Sequence, residues 1–223
     1  MIRAVVCMVV ASVLAQVPVN REPHHRTVFE DARLRVLDVT VPSRELTLDH
    51  RHDFDIATVS IIPADTRTIS PGQPWGPVRP RRPAGNASTT EYTGRPGNHT
   101  IENVGDTLYR LIAVENLRSA FAQALRRDSS ADAAVNAPGT TLAIESRAFR
   151  VYDIRLGADA PLTRHVHQTP VVAVLAAGAV VADTEPAPQR LDQPGQWVLV
   201  RTGELHRMVN AGAGTHVVEI EVR

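Results

Sequence analysis

His165-Val166-His167, taken with Gly195-Gln-Trp-Val-Leu-Val-Arg-Thr-Gly203-Glu-Leu-His206-Arg-Met-Val-Asn210, decides how this chain is read. On a β-strand, side chains one residue apart point the same way, so 162–167 as a strand sets both imidazoles on one face. His206 comes from a later strand, after a Gly-rich turn, and adds a third. Three convergent histidines that leave coordination positions open are the minimum for a reactive metal site. The same pattern occurs upstream as His50-Arg51-His52 and His99.

An internal repeat ties the two patterns together. A shift of 115 residues, without a gap, lays Glu30 on Glu145, Arg35 on Arg150, Val36 on Val151, Asp38 on Asp153, His50 on His165 and His52 on His167. Pro42 then falls on Gly157, the same turn in each copy. A shift of 107 lays His99 on His206, Asn103 on Asn210 and Gly105 on Gly212. The first copy is eight residues longer between the two motifs, in or beside the loop from Trp75 to Pro83. Alternating and short apolar runs predict strands over 27–31, 33–41, 56–62, 88–93, 99–104 and 108–115, with a Pro-, Gly- and Arg-rich loop at 70–85. They resume at 142–145, 147–156, 162–167, 171–175, 179–183, 196–201, 206–210 and 216–222. One helix is expected, from Asn116 to Arg127, where Leu117, Phe121 and Leu125 form an apolar stripe. An Ala-rich linker follows to Gly139. The expectation is an all-β protein of two barrels or jelly rolls in tandem, at 16–115 and 140–223, joined by a helix and linker at 116–139.

The 223 residues carry no net charge at neutral pH, and all 24 basic residues are Arg. Nothing global draws the chain to nucleic acid or to an anionic membrane. Residues 1–15 read as a secretory signal: Arg3, an apolar run from Ala4 to Leu14, and small residues before a cut at Gln16. The single cysteine, Cys7, lies inside it, so the mature protein would have neither disulfides nor thiolate ligands. A secreted or periplasmic location without a membrane anchor follows as an expectation.

On these residues the chain resembles the cupin superfamily, as a duplicated, two-barrel member. His165, His167 and Gly178 match that family's first motif, and Gly195, Gly203, His206 and Asn210 its second, with Arg201 where the family has Pro. His50, His52, His99, Asn103 and Pro96-Gly97 match in the first copy, where Pro63 replaces the closing Gly. The resemblance implies a divalent transition metal held by His50, His52 and His99 and by His165, His167 and His206. It departs at the family's glutamate ligand: Val171 or Val172 holds that position in the second copy and Ile56 or Ala57 in the first. Asp53, Asp55 and Gln168 lie near it but off register. A three-imidazole set suits Fe, Zn, Cu, Ni or Mn, and without its own carboxylate favours an anionic guest. It is similar in ligand type to thiol and diketone dioxygenases, which implies a dioxygenase-type oxidoreductase acting on a small anionic molecule. The alternative is a non-catalytic module binding metal or a small ligand.

Further candidates are weaker. Trp75, Arg79, Arg81 and Arg82 suit a lid that recruits an anionic substrate, against the plainer reading of a solvated loop. Glu204, Tyr92 and Tyr152 are candidates for acid–base work. His24 and His25 read as solvated N-terminal residues, His216 as strand surface and Trp197 as a barrel residue. Pairing of barrels through edge strands makes a homodimer the expected assembly.

Overall fold

The computed structural model describes residues 16–118, 138–157 and 163–223. The predicted signal, most of the predicted helix and linker, and Leu162 lie outside these residues. Asn116 itself ends a strand, and Leu117 and Arg118 form a turn.

The N-terminal half supplies β1 (Val17–Pro18), β2 (His25–Glu30), β3 (Leu34–Val41), β4 (His50–His52), β5 (Asp55–Ile62), β6 (Thr66–Ile69), β7 (Ala87–Thr90), β8 (Gly97–Asn103) and β9 (Tyr109–Asn116). The C-terminal half supplies β10 (Thr140–Glu145), β11 (Phe149–Leu156), β12 (Val171–Ala177), β13 (Val180–Asp183), β14 (Gln189–Leu191), β15 (Trp197–Val200), β16 (Arg207–Asn210) and β17 (Thr215–Val222). Among the described residues the only helix is one 3-10 turn, Val19–Arg21. The all-β expectation holds. Each half closes a five-stranded sheet over a smaller one: β2-β3-β9-β5-β7 over β1-β4-β8-β6, and β10-β11-β17-β12-β15 over β14-β13-β16.

The two large sheets run in the same order and register. Arg35 lies opposite Glu30 and Glu115, and Arg150 opposite Glu145 and Glu221. Both guanidiniums form ion pairs with these partners. Alternation along the last strand of each half then splits its side chains between two interiors. Val218, Ile220 and Val222 of β17, with Ile112 and Val114 of β9, join a core built from both halves that also includes Leu34, Val59, Phe149 and Val174. Burying each such side chain contributes roughly 1.5–3 kcal/mol, and here the gain depends on both sheets being present. The opposite faces, Leu111-Ala113-Glu115 and Val217-Glu219-Glu221, lie on the other side of each strand.

Two local features differ from the sequence expectation. The residues around His165 form no strand: His165 makes one isolated bridge, to His206. The loop after β6 is pinned where Thr66 and Arg79 exchange backbone hydrogen bonds of 3.1 and 2.7 Å. Thr66–Arg79 thus takes the place in the first half that Val180–Leu191 takes in the second.

Candidate metal centres

In the N-terminal half, β4 carries His50 and His52, and antiparallel β8 sets His99 opposite His50. One ligand atom from each of the three lies within 4.8 Å of the others. The Nδ1–H of His50 donates to the carbonyl of Leu48 at 2.9 Å, which leaves Nε2 as the lone-pair atom. That Nε2, and Nδ1 of His52, are buried with no hydrogen-bond partner among the described residues. Burial lowers all three imidazoles, His50 to about 4, His52 to about 2 and His99 to about 3, and repulsion from neighbouring rings adds to it. They are neutral at pH 7, the state in which imidazole ligates.

The C-terminal half reaches the same arrangement through loops. His165 and His206 exchange backbone hydrogen bonds of 2.9 and 3.0 Å, and the carbonyl of His167 accepts from the N–H of Gly203 at 2.8 Å. Gly203 has φ +75°, the conformation that favours glycine and turns the chain back toward His206. The Nδ1–H of His165 donates to Thr163 at 2.9 Å, matching His50 and Leu48. Nε2 of His165 and Nε2 of His167 face each other at 3.1 Å.

A fourth donor completes this second set. Glu219, on β17, lies 3.6 Å from Nε2 of His206 and 3.7 Å from Nε2 of His167. Both ring nitrogens of His206 and Oε1 of Glu219 are buried without a hydrogen-bond partner among the described residues. Buried polar atoms that converge unpaired are what a metal ion would satisfy, so the donor sets of both halves fit one. Burial works against the charged forms here. Even so, each partner offsets it for the other: His206 is raised and Glu219 lowered. Behind the site, Glu221 lies 3.7 Å from Nδ1 of His167 and accepts hydrogen bonds from Thr169 and from the hydroxyl of Tyr152.

The carboxylate sought after His165-Val166-His167 therefore arrives from the last strand, and the three-histidine expectation is corrected for this half. Val171 and Val172 are buried apolar residues. Among the described residues of the N-terminal half three histidines stand without it. There Ala113, opposite Leu37, holds the place of Glu219, opposite Tyr152. Asp55 is paired with Arg147 at 2.9 Å and accepts the backbone N–H groups of Tyr92 and Thr93. Asp53 pairs with Arg51, and Gln168 is exposed.

Beside the N-terminal trio the interior is open. A cavity of about 380 Å³ is lined by His25, His52, His99, Tyr92, Arg79 and Ala113 among others. A neighbour of about 300 Å³ shares Thr58, Arg79, Thr90, Tyr109 and Leu111 with it, and adds Ser60, Ser88 and Arg82. Arg79, Arg82 and Tyr92 are thus brought to this space, and Tyr92 stacks on His52 at 4.7 Å. The remaining candidates are not. Trp75 lies under the guanidinium of Arg67, and Arg81 pairs with Asp65 and Asp106. Glu204 accepts the backbone N–H groups of Arg201 and Glu185, which ties down its turn. Tyr152 is buried against Glu221. Two histidines read as solvated or surface are buried. His25 bonds Glu22, and His216 bonds Asp153 at 2.9 Å.

No family model and no curated protein matches this chain. Among solved structures, a salicylate 1,2-dioxygenase from Pseudoaminobacter salicylatoxidans in complex with gentisate superposes with TM-score 0.64 at 13% identity. The match covers 92% of this chain and 76% of that one. AerE from Microcystis aeruginosa gives 0.62 at 9% identity, over 91% and 98%. A cupin 2 conserved barrel domain protein from Leptotrichia buccalis gives 0.57 at 9% identity, over 88% and 87%. The chain has the cupin fold. At these identities the likeness carries the fold alone, and the chemistry of this chain rests on its own residues.

Proposed function

We propose that this chain is a duplicated, two-barrel cupin holding one divalent transition metal ion in each half. In this account it acts as a dioxygenase-type oxidoreductase on a small anionic molecule in the N-terminal half. One observation carries this: two of the three neutral imidazoles, His52 and His99, line a cavity that also presents Arg79 and the hydroxyls of Thr58 and Thr90. His50, His52 and His99 would hold such an ion, which would supply Lewis acidity and positive charge to a guest beside them. The protein's share is then to bind and orient. Arg79 attracts the anion, the hydroxyls fix its orientation, and Ile56, Ile101 and Leu111 cover its apolar part. A solved neighbour with bound gentisate, a carboxylate, is consistent with a small acid as guest.

The C-terminal half favours a binding role without turnover. Its four donors include a carboxylate, and its interior is packed with Leu175, Met208, Val217 and Leu191.

Oxygen uptake with a panel of small carboxylic acids, on protein purified without chelator, tests the activity. Consumption that His52→Ala abolishes and His167→Ala spares is expected; no uptake with any acid contradicts the oxidoreductase assignment. Export belongs to the same proposal and predicts a mature N-terminus at Gln16 in a bacterial host. Homodimerisation through edge strands predicts twice the monomer mass in light scattering.

A further inference from the structure

His25 is the one imidazole at the N-terminal centre that the ligand set leaves unused. It opens β2 and is only 5% exposed. Its Nδ1 meets Oε2 of Glu22 at 2.5 Å. Glu22, also buried, is itself fixed by the backbone N–H groups of His24 and Leu48. Leu48 is the same residue whose carbonyl orients His50. The ring of His25 lies 4.5 Å from that of His50, as close as the ligand rings lie to one another, and lines the cavity with His52, His99 and Arg79. It stands outside the trio whose ligand atoms converge within 4.8 Å.

A ring whose Nδ1–H is committed to a carboxylate presents a single nitrogen, Nε2, in fixed orientation. Because His25 lines the cavity beside the ligand set, that nitrogen suits a molecule bound in the cavity. Among the described residues the other half has nothing comparable. Thr140 occupies the equivalent position, opposite Ile154 as His25 is opposite Val39.

We propose that His25, held by Glu22, hydrogen-bonds a second oxygen function of the guest while Arg79 takes its carboxylate. The guest is then a small acid bearing a hydroxyl near the carboxylate, with an apolar remainder sized to a cavity of about 380 Å³. This rests on the N-terminal metal assignment above and names the chemistry that site selects.

Mandelate and phenylacetate differ by one hydroxyl and serve as probes. Each is titrated into the cobalt(II)-loaded full chain while the visible spectrum and the cobalt content are followed. Wild type should favour mandelate by about fivefold or more, the worth of one well-placed hydrogen bond. His25→Phe should erase that preference at unchanged cobalt content and unchanged phenylacetate affinity. Glu22→Gln, which exchanges the acceptor facing Nδ1 for a donor or a neutral oxygen, should reduce it with the fold intact by thermal unfolding. Arg79→Gln should weaken both acids together. An unchanged preference in a folded His25→Phe or Glu22→Gln variant overturns the role of His25 alone. Cobalt content that does not fall in His50→Ala overturns the metal assignment beneath it.

Discussion

The two halves share one backbone plan and fill it with opposite chemistry. At positions related by strand register, the N-terminal interior presents Thr58, Ser60, Thr68 and Ser88 where the C-terminal interior has Ala173, Leu175, Ala182 and Val198. Arg79 faces Leu191 across the same comparison, and Ala113 faces Glu219. The apolar set packs into a core, and the polar set lines the two neighbouring cavities. Among the described residues a carboxylate joins the histidine cluster where the barrel is filled and none joins it where the barrel is open. Barrel register sets where a histidine cluster forms. The inward residues of the other strands decide whether a guest reaches it.

Substitutions that exchange these features should act unequally in the two halves. The largest effect is expected at Glu219. Glu219→Ala leaves buried His206 without its partner and should cost about 3–5 kcal/mol of stability in chemical denaturation. Ala113→Glu, its mirror, should leave the fold intact but close the N-terminal site to carboxylates in the mandelate titration. Next, Leu175→Ala should lose about 2–5 kcal/mol by leaving a cavity in the C-terminal core. Ser60→Leu, at the matching position, should instead change stability far less and weaken binding of the larger acids.

Proton linkage runs in opposite directions at the N-terminal trio and at His206, whereas His165 is lowered like the trio. In metal-free protein His50, His52 and His99 titrate below the usual 6.5, so the unfolded chain takes up protons first as pH falls. Their contribution is present above pH 6.5 and lost as pH drops toward 4. His206 is raised, so its contribution is present below 6.5 and lost as pH rises through its folded value. Denaturation from pH 7.5 to 4.5 should therefore steepen in His206→Ala and flatten in His50→Ala. The smallest effect belongs to Arg79→Gln: Arg79 is exposed, so stability should hold while affinity for small acids falls about tenfold.

The sequence alone carried the all-β fold and the six histidines of the two clusters, because period-2 spacing and shifts of 115 and 107 residues need no tertiary information. Glu219 escaped because the search followed spacing along the chain after His167, whereas this carboxylate arrives by cross-strand register beside Tyr152 and Ala173. A signal was present: Val217-Val218-Glu219-Ile220-Glu221 alternates like a half-exposed strand, and the face that reads as solvent turns into the barrel. His25 gave no such sign, since an N-terminal His-His pair after Pro23 looks solvated until β2 pairs with β3. Trp75, Arg81 and Glu204 carried plausible chemistry with no register to place them, and the fold directs them elsewhere.

Metal content by elemental analysis, measured with the mandelate titration, tests most directly whether one half is an open centre and the other a closed one. Wild type should hold close to two ions per chain, one for each donor cluster, and His52→Ala and His167→Ala close to one each. Mandelate should perturb the cobalt spectrum of His167→Ala and leave that of His52→Ala unchanged. A response that survives in His52→Ala, or wild-type protein that binds no transition metal, would contradict the account.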